Sequence, residues 1–168
     1  MATVPDDPDQ PESVIDALRE LTGVQLTGVD VVHGGDAQRP VFDELRRVPG
    51  EADTVVSVQL RHRGRLVTGT AQGPSTPQAA PRTAARATLA ALHELLGDAV
   101  RLRLEWTHLL EAQAPEDPEV VNVVVVFMVA EETQRLAGAA LMRGDVYDCA
   151  VRATLAASNR RLAPFLGA

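Results

Sequence analysis

Hydrophobic and polar positions follow the same order in two parts of the chain, and each part ends in the same six residues. Arg-Ala-Thr-Leu-Ala-Ala occurs at residues 86–91 and again at 152–157. An alternating apolar run and a glycine-containing run precede each copy, at 54–60 and 65–71 in the first and at 120–130 and 135–142 in the second. Alternation is typical of strands, so the pattern predicts strand, strand and helix, twice.

Each hexamer belongs to a predicted helix with one buried stripe. The first helix should begin near Ala80 or Pro81 and end at Gly97, because proline suits a first turn and glycine a C-terminus. Asp145 is the expected N-cap of the second. The stripes match position for position: Ala85, Thr88, Leu89, Leu92 and Leu96 in one helix, and Val151, Thr154, Leu155, Ser158 and Leu162 in the other. The helices should occupy equivalent places about a pseudo-twofold axis.

The strand patterns of the second copy are the clearest. Val100, Leu102, Leu104 and Trp106 alternate with polar residues, which predicts a strand with one wet face. Residues 120–130 are interrupted only by Asn122 and are apolar on both faces, so an open edge there would invite aggregation. This favours a homodimer or larger assembly. Turns are expected at 63–64, 112–118 and 131–134.

The N-terminal part is less regular. Residues 1–10 are polar and proline-rich, which predicts a disordered lead-in, and 11–23 predict a short amphipathic helix. Residues 24–33 alternate loosely as a strand. The segment 34–53 is expected to be a long loop with a helical turn around 42–47.

The predicted fold class is therefore α+β. It consists of two βββα repeats with helices packed on antiparallel sheet, plus an extra N-terminal helix. The expected organisation is one compact domain, with the N-terminal helix and first unit at 11–98 and the second unit at 99–168.

Composition narrows the range of partners and compartments. A net charge of −7 disfavours nucleic acid and anionic membranes as partners, since both attract basic surfaces. All 16 basic residues are arginine, which indicates a GC-rich, bacterial genome. A single cysteine, Cys149, excludes an intramolecular disulfide, and no signal-like segment opens the chain, so a cytoplasmic location is expected. The longest apolar run is too short and too β-branched to be a membrane helix.

Over residues 24–163 the pattern resembles the C-terminal regulatory domain of 2-isopropylmalate synthase and citramalate synthase. The glycine-proline turn before the first helix looks like Gly73-Pro74. The second unit is similar in an aromatic strand, a valine-rich strand, a small-residue strand, an acidic helix start and a leucine followed by asparagine. Those features are Trp106, residues 120–129, Gly138, Asp145, Leu155 and Asn159-Arg160.

The resemblance implies a pair of βββα units that associates as a dimer and binds an end-product amino acid. One departure bears on the ligand: the family has an acidic residue after glycine-proline, where this chain has Ser75-Thr76-Pro77. The family's catalytic barrel is missing from these 168 residues, so its aldol-type chemistry is not implied.

The residues themselves predict no enzyme. The four histidines lie in separate segments without metal-type spacing, and none forms a nucleophile signature with Cys149. Asp145 and Asp148 could act as acid and base, although their spacing also suits a cap and a first-turn charge. No catalytic residue, metal site or cofactor is predicted.

The sharpest functional hypothesis is a regulatory module that binds an amino acid or small carboxylate at the helix starts. Backbone N–H groups there would hold the carboxylate and an aspartate the ammonium group. Tyr147 would either line the pocket or simply pack. The candidate residues are Gly73, Pro74, Ser75, Thr76, Gly144, Asp145, Tyr147 and Asp148.

Two alternatives remain. The first is a scaffold or assembly module that binds a protein partner. The second is an RNA-binding module, suggested by the strand and helix order and by arginines that could form either a basic surface or a solvated helix face. These are Arg82, Arg86, Arg143, Arg152, Arg160 and Arg161.

Overall fold

Two three-stranded antiparallel sheets, each followed by a helix, make up the part of the chain that the structure describes. That part of the computed structural model comprises residues 39–112, 114 and 117–166. The first repeat contains β1 (Val41–Pro49), β2 (Asp53–His62), β3 (Arg65–Pro74) and α1 (Ala80–Leu96). The second contains β4 (Arg101–Leu110), β5 (Val120–Val129), β6 (Glu132–Leu141) and α2 (Val146–Leu162). Short 3-10 turns follow the helices at Gly97–Ala99 and Ala163–Phe165.

The strand order is β1-β2-β3 in the first sheet and β4-β5-β6 in the second. The α+β class and the repeated βββα arrangement are therefore confirmed. The predicted N-terminal helix and the strand at 24–33 lie outside the described residues. The turn at 63–64 is confirmed, with Arg63 and Gly64 both at positive φ, and the later hairpin turns at Ala130 and Glu131.

The expected loop at 34–53, with its helical turn around 42–47, was wrong, because Val41–Pro49 forms the strand β1. Val41–Pro49 pairs along its length with β2. The register shifts between Phe42 and Glu44, and this irregularity breaks the alternation that would have marked a strand. Prolines stand at both ends, at Pro40 and Pro49, which made the segment look like a loop.

The two helices pack against each other and lie between the two sheets. α1 contacts β2 and β3 of its own repeat and β4 of the other, while α2 contacts β5 and β6 and reaches β1. Each helix is therefore buried on three sides and exposes only a narrow strip. Both predicted stripes are fully buried, which confirms their equivalence.

Two glycines allow each helix to approach its own sheet closely. A Cβ on Gly69 would lie 2.1 Å from the carbonyl oxygen of Ala87. A Cβ on Gly138 would lie 2.2 Å from the carbonyl oxygen of Ala153, the matching residue of the second hexamer. The repeated sequence therefore produces the same contact twice.

The helices run in the same direction, so both begin at one end of the helix pair. Near their C-terminal ends, His93 of α1 accepts a hydrogen bond from the backbone of Leu102, and Phe165 after α2 stacks on Phe127. Leu102 and Phe127 are directly paired across β4 and β5, so the two helix ends lie beside the same row of the second sheet.

Candidate functional site

The end of the helix pair at which both helices begin is the first candidate site. Arg47 on β1 contacts the start of α2. Its Nη2 is 3.1 Å from Asp145 Oδ2, and its guanidinium lies 4.9 Å from the centre of the Tyr147 ring. Arg47 is paired with Val56 of β2, and Val56 with Ala71 of β3. Arg47 therefore lies at the same end of the first sheet as the end of β3, from which the chain continues into α1.

The start of α2 is organised by Asp145. Its carboxylate accepts a hydrogen bond from the backbone N–H of Tyr147 at 2.9 Å, which confirms it as the N-cap. Gly144 precedes it at a φ of 118°, a conformation that favours glycine. Asp148 in the first turn pairs with Arg152 at 2.7 Å. Both carboxylates thus have an arginine partner, an arrangement that suits capping better than acid-base catalysis.

The start of α1 is organised by backbone contacts instead. Ser75 donates its N–H to Ala52 and its hydroxyl lies 2.8 Å from Thr54 Oγ1. The carbonyl of Thr76 accepts from the N–H groups of Ala79 and Ala80. Because Pro81 has no N–H, this first turn keeps few free donors for an anion.

The remaining candidates of this group are Gly73 and Pro74, the last two residues of β3. A Cβ on Gly73 would lie 2.1 Å from Thr83 Oγ1, so glycine lets β3 end against the first turn of α1. Pro74 is exposed. An open hollow of about 310 Å³ lies nearby at the turn between β1 and β2, and its lining includes the carboxylates of Glu51 and Asp53. Those charges disfavour a carboxylate ligand in the hollow.

The described titratable groups form no metal site, since no three His, Cys, Asp or Glu side chains cluster among them. Cys149 is buried, and its thiol donates to the carbonyl of Ala140 at 3.1 Å. Burial raises the pKa of this thiol above its ordinary value. A thiol with a raised pKa is a poor nucleophile at neutral pH.

The arginines of the RNA hypothesis do not form one surface. Arg82 and Arg86 lie on the exposed strip of α1, and Arg152 and Arg160 on that of α2. Because the helices pack against each other, these strips face in opposite directions. Arg152 is also engaged by Asp148 and stacks on Phe42 at 5.6 Å.

The second candidate site is the outer face of the second sheet, which is turned away from the helices. Leu110, Trp106 and Leu141 are 45%, 39% and 50% exposed there. Val124 and Val126, on the central strand of this face, are each 4% exposed. Trp106 and Val124 belong to one apolar row and Leu110, Val120 and Leu141 to another, with the row of His108, Asn122 and Ala139 between them.

Trp106 was expected on the buried face with Leu102 and Leu104, and the structure corrects this. The register between β4 and β5 shifts between Leu104 and Trp106, as in a β-bulge. A bulge adds one residue to a strand and so reverses the faces of the residues that follow it. Trp106 pairs with Val124 on the outer face as a result.

The outer face of the first sheet is polar at the matching positions. Its centre carries Ser57 and Gln59, whose side chains lie within 3.5 Å of the hydroxyls of Thr70 and Thr68. Its large apolar residues, Val41, Val48 and Leu66, lie towards the ends of the strands. Since both sheets have the same strand order and pack on the same helix pair, the fold itself does not require an apolar outer face.

No protein-family model and no curated protein matches this sequence. None of the described helices is long and apolar enough to cross a membrane.

Proposed function

We propose that this chain is a non-catalytic module that associates with itself through the outer face of its second sheet. The proposal depends on the contrast between the outer faces of the two sheets. The centre of the first carries polar Ser57 and Gln59, whereas the second exposes Trp106, Leu110 and Leu141. Monomeric proteins rarely expose an apolar patch larger than a few hundred Å². Covering Trp106, Leu110 and Leu141 removes their exposed apolar surface from water.

Sedimentation velocity over a range of concentrations tests this proposal. A charge at Leu141 should disrupt association, because it would be buried without a partner. The matched control is Leu66→Glu, which places the same charge on the first sheet at a leucine that is 51% exposed, against 50% for Leu141. We expect concentration-dependent association in the parent and in Leu66→Glu, and its loss in Leu141→Glu. A parent that stays monomeric at millimolar concentration would overturn the proposal.

The single tryptophan gives a second measurement, since Trp106 lies on the associating face. Its emission should shift to shorter wavelength as the protein concentration rises, because association excludes water from the indole ring. Leu66→Glu should show the same shift and Leu141→Glu should not.

The second candidate function is the binding of a small carboxylate or amino acid at the helix starts. It is favoured by one observation, the presence of Arg47 at the start of α2. Arginine recognises carboxylates with two parallel hydrogen bonds, and the dipole of α2 presents its positive end there. A ligand would have to compete with Asp145 for Arg47.

Thermal-shift measurements with leucine, isoleucine, valine and their keto acids test the ligand hypothesis. A ligand at about ten times its dissociation constant should stabilise the fold by about 1.4 kcal/mol. Arg47→Ala should abolish the shift. Arg46→Ala, which removes an exposed arginine of the same strand, should not. Unchanged melting temperatures with all these compounds at millimolar concentration would leave the assembly function alone.

A further inference from the structure

The outer face of the second sheet is divided into an apolar half and a charged half along the strands. In the apolar half the paired rows are Leu110-Val120-Leu141, His108-Asn122-Ala139 and Trp106-Val124-Ala137. In the charged half they are Arg103-Val126-Arg135 and Arg101-Met128-Thr133. The Nε–H of Arg135 is shared between the two carboxylate oxygens of Glu105, which leaves Arg101 and Arg103 as an excess of positive charge in this half.

Asn122 occupies the middle of the apolar half. It is partly buried between Val120 and Val124 on the central strand, and its amide makes no side-chain hydrogen bond with another described residue. An amide carries both donors and an acceptor, so two asparagines that face each other can satisfy one another. A second copy of the same chain supplies that partner by symmetry.

We propose that two copies pack the outer faces of their second sheets together in antiparallel orientation, with the twofold axis passing through the row of Asn122. The two Asn122 amides then hydrogen-bond to each other. This inference rests on the proposed self-association and specifies its geometry. Face-to-face sheets lie about 10 Å apart, a distance that two facing asparagine side chains can bridge.

The distribution of charge and volume selects this orientation. A parallel arrangement would place the charged halves of the two copies together, with arginine against arginine. The antiparallel arrangement lays apolar half on apolar half, with Trp106 against the partner's Leu110 and Ala137 beneath the partner's Leu141. It also brings the loop after β4, with exposed Glu111 and Asp117, towards the partner's charged half.

The size of the face predicts how strong the dimer is. Because the axis lies at the third residue of β5, only about five residues of each strand face the partner's sheet, an overlap of about 17 Å by about 14 Å, or an area of about 240 Å². Stable complexes bury about 800 Å² on each partner. The dimer is therefore a reversible one that forms at micromolar or higher concentration, and monomer and dimer exchange.

Cross-linking of single cysteines tests the geometry in the full chain. The parent carries Cys149→Ser, so that no native thiol reacts. Ala139→Cys is the probe, because Ala139 is exposed and lies in the row through which the axis passes. The Ala139 residues of the two copies therefore lie next to each other in the proposed dimer. Thr70→Cys is the matched control, since Thr70 is exposed and has the same place beside Ser57 on the first sheet. Met128→Cys is the opposite probe, because only a parallel arrangement brings two Met128 side chains together.

With a short bismaleimide we expect Ala139→Cys to be captured as a covalent dimer, with yield rising with concentration, and Thr70→Cys and Met128→Cys to stay monomeric. Capture through Met128→Cys without Ala139→Cys would overturn the antiparallel geometry. A parent that sediments as a dimer but gives no Ala139→Cys product would do the same while leaving self-association intact. A parent that is monomeric in sedimentation removes the proposed function as well.

Discussion

His93 and Asn159 occupy equivalent positions, two residues beyond the repeated hexamer, and each joins its helix to the first strand region of the opposite repeat. His93 Nε2 accepts the N–H of Leu102 at 2.9 Å. Asn159 Nδ2 donates to the carbonyl of Pro40 at 3.3 Å. The two contacts fasten α1 to the second sheet and α2 to the first, with opposite hydrogen-bond polarity.

The His93 contact predicts that stability falls as the solution becomes acidic. Burial lowers the pKa of His93 below its ordinary 6.5. Near that pH the unfolded chain therefore binds more protons than the folded one, and folding is progressively opposed as the pH falls through 6.5 towards the folded-state pKa. Protonation also removes the lone pair that Leu102 donates to. Chemical denaturation from neutral pH down to about pH 5.5 measures the effect.

His93→Gln is the control for this prediction. Glutamine retains an acceptor for the Leu102 N–H but does not titrate, so the variant should lose part of the pH dependence. Identical slopes of unfolding free energy against pH for parent and variant would contradict the assignment to His93.

The close helix-sheet contacts predict that Gly69→Ala and Gly138→Ala are both strongly destabilising. The added Cβ would meet helix backbone at 2.1 to 2.2 Å, and backbone cannot move aside as a flexible side chain can. We expect a loss of about 3 kcal/mol or more, the upper end of overpacking costs. Gly64→Asn is the control, since that turn is open and asparagine tolerates its positive φ. Equal unfolding midpoints for Gly69→Ala, Gly138→Ala and Gly64→Asn would show that the helices do not approach the sheets as closely as these distances indicate.

The capping of α2 predicts that Asp145→Ala costs about 1 kcal/mol, because the Tyr147 N–H loses its acceptor. Asp145→Asn keeps a good cap and removes only the partly exposed ion pair with Arg47, which contributes little. Urea denaturation of the two variants separates these contributions. If Asp145→Asn lost more than about half of the unfolding free energy that Asp145→Ala loses, the stability would come from the ion pair instead.

The local sequence predicted the repeat, both helices and their caps, because each of these features depends on residues that are close together in the chain. The contacts made by β1 could not be predicted in the same way. Phe42 and Leu45 are only partly buried, and β1 contacts residues more than 100 positions away, as where Arg152 lies over the Phe42 ring. Arg47 was missed for this reason, although it contacts both Asp145 and Tyr147 at the start of α2. Trp106 was misplaced because one extra residue in β4 reverses every later side chain.

Replacement of Asn122 by valine separates the strength of the proposed dimer from its geometry. Exchanging both members of a hydrogen-bonded pair for apolar groups is nearly neutral or stabilising, so Asn122→Val should associate as tightly as the parent or more tightly. A single buried asparagine can nevertheless fix the register of an apolar interface, because any slip leaves the amide unpaired. Without it the sheets can slide, and capture through Ala139→Cys should fall while sedimentation still shows dimers. Ser57→Val, at the matching position of the first sheet, should change neither measurement. Undiminished Ala139→Cys capture in Asn122→Val would show that apolar shape, rather than the amide pair, sets the register.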